Sequence, residues 1–304
     1  MQAVSLVNSP ADAAALSATQ AATRAAAQAA AQSAAQSAAQ AASAGAARRR
    51  AGLLTLRRLV LPVLAAALVL AVWEIGTRWA QVPEVLLPPP SAVLDRLVNA
   101  FPLLMKHAWP TIWQSLAGFA IATVLGITLA TLLSASTIIR ETLYPNVVFF
   151  QLIPKIALAP LFVVWFGLGP EARLSFSVFV SFFPVVIATL AGLDNVERDL
   201  LRLCRALTAS NWQTFVSVRL PHAMPYIFSG MKIASTFAII GVIVGEFITS
   251  RAGLGYLILF ASAQAETALI LASISVLCVF GLVFYGVVAL CERWTIERFG
   301  DRPR

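Results

Sequence analysis

The chain has 304 residues, of which 59% are hydrophobic and only 12% charged, and its mean hydropathy is +0.82. An ordinary soluble protein carries about twice that charged fraction, so composition excludes one. The net charge of +8, from 22 Lys and Arg against 14 Asp and Glu, collects between apolar stretches and reads as an orientation signal, not as a surface for nucleic acid.

The first element is a low-complexity tail over residues 1–50. Between Ala13 and Ala47, 32 of 35 residues are Ala, Gln, Ser or Thr, and Arg48, Arg49 and Arg50 close the run. Ala favours helix, yet the stretch has no apolar face to bury, so a solvated tail is the main expectation. A targeting peptide is the alternative, since the segment is basic and poor in acid, but it lacks a continuous apolar core.

Six windows of 20 residues or more are long enough to cross hydrocarbon: 59–80, 111–134, 143–166, 172–192, 225–249 and 268–290. All are expected to be helices, because an open sheet edge is not tolerated in lipid. The fold class is therefore an all-α polytopic membrane bundle, with a membrane domain over 51–295 and a short basic tail over 296–304. Between the first two windows, Ser91 is a candidate N-cap for a short amphipathic helix with Val93, Leu94, Leu97 and Val98 on one face, lying on the outer surface. The third window holds Pro145, Pro154 and Pro160, which predicts a kinked or split span inside the bundle. In the second, Ala122, Gly126 and Ala130 recur at helical spacing as a packing face.

With the N-terminus inside, Arg24, Arg48 to Arg50, Arg57, Arg58, Arg140, Arg198, Arg202, Arg205, Arg219, Arg293, Arg298, Arg302 and Arg304 face the cytoplasm. Arg78, Arg96, Lys106, Arg173 and Arg251 face outward. Fifteen against five predicts a multi-pass chain with both termini cytoplasmic.

The inner loop 194–224 is patterned. Val196, Leu200, Leu203, Cys204 and Leu207 recur at helical spacing. Thr208, Ala209 and Ser210 then break the period. Ser210 with Gln213 predicts a capping box opening a second helix through Trp212, Phe215 and Val216, which Leu220-Pro221 is expected to stop. From pattern alone, an amphipathic hairpin resting on lipid headgroups is equally open.

The stretch RLCRALTASNWQTFVSVRLPHAMPYIFSGMKIA resembles the EAA loop of inner-membrane permeases of binding-protein-dependent ABC importers. The E-A-A positions fall on Arg202, Leu203 and Cys204, the Gly position on Thr208, and the I-x-L-P on Val218, Arg219, Leu220 and Pro221, so the tail of the motif matches and its head departs. The stretches VWEIGTRWAQVPEVLLPPPSAVL, SLAGFAIATVLGITLATLL, LIPKIALAPLFVVWFGLG and IVGEFITSRAGLGYLI are similar to the nitrate/sulfonate/bicarbonate branch, which includes taurine, alkanesulfonate and pyrimidine-precursor importers. The likeness covers roughly residues 59–295.

The resemblance implies a type I importer permease fold. It also implies that a coupling segment, Arg202, Leu203, Arg205, Ala206, Leu207, Thr208, Ala209, Ser210, Trp212, Leu220 and Pro221, docks into a separate ATPase subunit. No GxxxxGK[ST] occurs in the sequence, so ATP and Mg are expected on that partner, in two copies, and no cofactor on this chain. A periplasmic or lipid-anchored binding protein and a second copy of this chain complete the expected partners.

Inside the membrane, Pro154, Lys155, Pro160, Gly241, Gly245 and Glu246 are candidates for the translocation path or its gate. For Glu246, structural pairing is the competing reading, because an intramembrane carboxylate is costly unless paired. Lys232, near the inner end of its span, is expected to snorkel, and Glu74 to anchor the outer end of the first span. Cys204, Cys278 and Cys291 are too far apart in sequence for a zinc pattern, and two histidines are too few for a metal site. An ion-coupled secondary transporter using Glu246 and Lys155 is the alternative function; an enzyme is not expected, since no catalytic constellation occurs.

Overall fold

The structure, a computed structural model, describes residues 60–249 and 251–299, together with Thr23, Gln28 and Gln32. The expectations for the tail over 1–50, for Arg48 to Arg50 and for Asp301 to Arg304 lie outside the described residues. The chain divides into two units between Val72 and Trp73. An apolar helix, α1 (Val60–Trp79), crosses that boundary, and everything else described below belongs to the second unit.

The further helices are α2 (Pro90–Asn99), α3 (Phe101–Ala135), α4 (Thr137–Leu152), α5 (Ala159–Phe166), α6 (Pro170–Asp194), α7 (Arg198–Ala206), α8 (Asn211–Thr214), α9 (Leu220–Thr249), α10 (Leu254–Ala263) and α11 (Thr267–Phe299). Among the described residues, five helical stretches are long and apolar enough to span a bilayer, and six if the pair α4 and α5 is one broken span. That pair is bent by 93°. The break has a local cause: Ile153 and Pro154 are extended, and a tight turn over Lys155–Leu158 leads into α5, whose first turn takes Pro160 where a missing N–H does no harm. The split expected of the third window is thus present.

The core is the α3, α6 and α9 triple, with α6 against both neighbours. In lipid, helices associate through close backbone approach, which small residues permit. Ala122, Gly126 and Ala130 are all buried on α3, and a Cβ on Gly126 would lie 2.8 Å from Val185 of α6. The hydroxyl of Ser177, buried on α6, donates to the carbonyl of Ala238 on α9 at 3.0 Å, adding an interhelical hydrogen bond to the seam.

Four expectations need correction. Ser91 is not a cap: α2 starts at Pro90, and Ser91 instead donates from its N–H and hydroxyl to Glu74 at 3.0 and 2.8 Å. On α2, only Val93 and Leu97 pack on the core, while Leu94 and Val98 are exposed. The gap between the first two windows is shorter than expected, because α3 already starts at Phe101 and carries Pro110 within it. Lys232 does not snorkel; it pairs with Glu292 of α11 at 2.7 Å.

Candidate functional site

The inner hairpin is built from two capped helix ends. α7 ends in a Schellman motif: Thr208 N–H donates to Arg205 O and Ala209 N–H to Cys204 O, both at 3.0 Å. That motif needs a left-handed residue at its turn, and Thr208 occupies it with φ +55°. Its hydroxyl donates to the Leu207 carbonyl at 2.7 Å. Two residues on, Ser210 and Gln213 form the expected capping box, with Ser210 N–H donating to Gln213 Oε1 at 2.8 Å and Gln213 N–H to Ser210 Oγ at 3.2 Å.

Leu220-Pro221 does not stop the helix that follows. Residues Asn211 to Thr249 run as one helix of 39 residues, because Phe215–Arg219 form a widened π turn in which Leu220 N–H bonds back to Phe215 O, five residues earlier. The extra residue in that turn gives the helix an alternative to the break that a proline ring normally forces. The hairpin is therefore rigidly continuous with a membrane span.

Its tip presents apolar side chains outward. Leu207 is 70% and Trp212 72% exposed, and Leu203 is also exposed, on a helix otherwise carrying Arg202, bound to Asp199 at 3.0 Å, and Arg205. Ala209 and Ser210 sit between them, and Ala206 closes α7. Trp212 stacks against Phe215 with ring centroids 5.9 Å apart. Behind the tip, Arg219 donates to Ser134 of α3 at 3.3 Å, across a cavity of about 360 Å³ lined also by Thr131, Trp212 and Phe215.

The membrane candidates divide into two groups. Pro154 and Pro160 are exposed along the broken α4/α5 pair, and Lys155 lies half-buried with its ammonium 5.4 Å above the Phe183 ring and 3.3 Å from the Gln151 carbonyl. Gly241, Gly245 and Glu246 are buried within the chain. A Cβ on Gly241 would sit 2.7 Å from Ser177 Cα, and one on Gly245 3.1 Å from Arg173 Cα, so both glycines let α9 approach α6. Glu246 accepts hydrogen bonds from Thr111 of α3 and from the N–H of Gly255, and it interacts electrostatically with Arg173. Sequence reading passed over Thr111 and His107, which meet this carboxylate and its turn from more than 130 positions away. The available signal was the Gly253-Leu254-Gly255 turn placed so soon after Glu246. Among the described residues, no group of three or more His, Cys, Asp or Glu gathers as a metal site, and Cys204, Cys278 and Cys291 are free thiols.

Residues 122–297 match the family model for the binding-protein-dependent transport system inner membrane component. The riboflavin transport system permease protein RibX of Chloroflexus aurantiacus is 32% identical over 232 residues, covering 76% of this chain and 87% of the relative. The formylaminopyrimidine transport permease protein ThiX of Halalkalibacterium halodurans is 31% identical, covering 76% and 92%. The taurine transport system permease protein TauC of Escherichia coli is 30% identical over 250 residues, covering 79% and 90%. In fold, the chain resembles one from the inward-facing MetNI methionine ABC transporter, with a TM-score of 0.58 at 18% identity over 65% of this chain and 98% of that one. Matched over more than half its length, the chain belongs to the inner-membrane permease family of binding-protein-dependent ABC importers, whose members are multi-pass transport subunits.

Proposed function

We propose that two copies of this chain form the translocation path of an importer for a small oxyanion, sulfonate or pyrimidine-type solute. The relatives named for taurine and formylaminopyrimidine support that solute range. A soluble binding protein delivers the solute, and two copies of a separate ATPase subunit, which hold ATP and Mg, drive the cycle. Both termini face the cytoplasm, a reading that the fifteen-to-five partition of positive charge supports. The low-complexity residues 1–50 and the basic residues 296–304 stand outside the transport domain.

One observation carries the reading. The hairpin holds two exposed apolar side chains, Leu207 and Trp212, at the tip of a capped turn that continues without a break into a 39-residue membrane helix. An aromatic anchor on a rigid element is what a partner's groove engages. ATP-driven closure of the two ATPase subunits draws the hairpins together, and the attached helices shift the population between inward and outward openings. Arg202, Leu203, Arg205, Ala206, Leu207, Thr208, Ala209, Ser210 and Trp212 make that contact, and Leu220-Pro221 joins it to the span. Pro154, Lys155 and Pro160 line the path, while Gly241, Gly245 and Glu246 hold the gate from behind.

The test is purification of the full chain from membranes in mild detergent. An ATP-hydrolysing subunit is expected to co-elute, and its cross-links are expected at Leu207 and Trp212. Solute uptake by the chain alone, driven by an ion gradient, would sink the proposal in favour of a secondary transporter. A hairpin that cross-links only to lipid would leave it without its mechanism.

A further inference from the structure

The helix that begins in the hairpin ends at a buried charge. From Asn211 to Thr249 it spans 39 residues, about 58 Å at 1.5 Å per residue, and Glu246 lies three residues before its end. Glu246 is 1% exposed. Both carboxylate oxygens are committed: Oε1 accepts from the Thr111 hydroxyl at 2.7 Å and Oε2 from Gly255 N–H at 2.8 Å. The Thr111 oxygen in turn accepts from Leu254 N–H at 2.9 Å, and His107 Nδ1 from Gly253 N–H at 3.2 Å.

Three consecutive N–H groups at the start of α10, which a helix start leaves without backbone partners, are thus satisfied by side chains of α3 and α9. The turn is shaped for the purpose. Gly253 has φ +117°, a region few other residues adopt, and a Cβ there would fall on the Glu246 carboxylate. At Gly255 a Cβ would lie 2.9 Å from Glu246 Cβ. A buried carboxylate is an expensive way to hold a connection, since a neutral side chain or water serves an ordinary turn. What it adds is a charge-assisted, two-oxygen grip with fixed geometry.

We propose that Glu246 is a positioning residue that locks the 253–255 turn and α10 to the outer end of the long helix, so that a push on this outer turn reaches the hairpin at the inner end. The proposal rests on the importer reading above, and it takes the push of the loaded binding protein to enter at this turn. Thr111 is the second half of the lock, because its hydroxyl bonds Glu246 and Leu254 at once. The helix moves with α6 as one body, since Gly241 and Gly245 bring their backbones into contact. Without the lock, displacement of α10 is absorbed in the turn and does not reach Trp212.

The experiment uses the full chain assembled with its ATPase in lipid nanodiscs, and reads ATP hydrolysis with and without the solute-loaded binding protein. Thr111→Val is expected to lower the stimulation by loaded binding protein about tenfold while hydrolysis without it stays within about twofold. Thr111→Ser, which keeps the hydroxyl, is expected to restore stimulation, and Glu246→Gln to lose it. A spin label on the exposed Gln264, at the end of α10, is expected to gain mobility in Thr111→Val and not in Thr111→Ser. Full stimulation in Thr111→Val overturns the proposal. So does an equal fall of both rates that Thr111→Ser does not repair, which marks the lock as a folding element only. A wild-type complex that hydrolyses ATP but shows no response to the binding protein overturns the importer reading itself, and the proposal with it.

Discussion

The N–H of Ala209 reaches back to the carbonyl of Cys204 at 3.0 Å, closing the hairpin turn over a residue, Thr208, that stands in the left-handed region at φ +55°. A β-branched side chain there is strained by roughly 1 kcal/mol relative to glycine. Thr208 recovers part of this through its bond to Leu207 O. Thr208→Gly is therefore expected to stabilise the detergent-solubilised chain by up to about 1 kcal/mol, raising its thermal midpoint by about 2 °C. A fall in the midpoint would show that the hydroxyl outweighs the backbone strain.

Trp212 touches little within the chain beyond the Phe215 ring, and it is largely exposed. Its truncation is therefore expected to leave the fold intact and to weaken the partner contact. For Trp212→Ala the loss expected of a buried aromatic anchor is about 2 kcal/mol, roughly thirtyfold in affinity. Titration of the purified ATPase against chain in nanodiscs measures it, with the circular dichroism spectrum unchanged. Wild-type affinity would place the contact elsewhere than at the hairpin tip.

The parts of the molecule that obey local rules were legible in sequence. The apolar windows, the split of the third of them and the Ser210–Gln213 box each depend on neighbours within a few positions, and each is present. The misreadings share a different cause. Leu220-Pro221 reads as a stop by propensity, yet a π turn five residues long absorbs the proline. The second window starts at residue 111 by hydropathy, yet α3 begins at Phe101 and passes through Pro110. The partners of Glu246 and Lys232 come from 135 and 60 positions away, and no pattern in a single sequence encodes such pairings. The hairpin follows local rules and could be read from pattern, while Thr111 and Gly255 meet Glu246 only through the fold.

The seam between α6 and α9 tolerates no added bulk. A Cβ on Gly241 already lies 2.7 Å from Ser177 Cα and 2.8 Å from Val180 Cγ2, so Gly241→Leu must push two backbones apart. Overpacking of this kind costs about 1–3 kcal/mol. The expected result is a lower thermal midpoint and reduced monodisperse yield. Gly76→Leu is the control, since a Cβ there meets nothing within 4 Å. Equal loss at both positions would mean that the effect reports lipid exposure and not the seam.

Lys232 and Glu292 tie α9 to α11 at 2.7 Å, with side chains 21% and 18% exposed. A pair so nearly withdrawn from water contributes little net stability, because its attraction mostly offsets desolvation, but a lone survivor is penalised. Lys232→Met and Glu292→Met are thus each expected to destabilise the chain by about 2 kcal/mol, and the double variant by less than either alone. Denaturation of the four proteins in detergent closes the cycle. If the single losses simply add, the two side chains are not coupled. A coupling larger than about 1 kcal/mol shows that α11 is pinned to the long helix electrostatically as well as by the Phe228, Ile239, Phe284 and Val288 cluster between them.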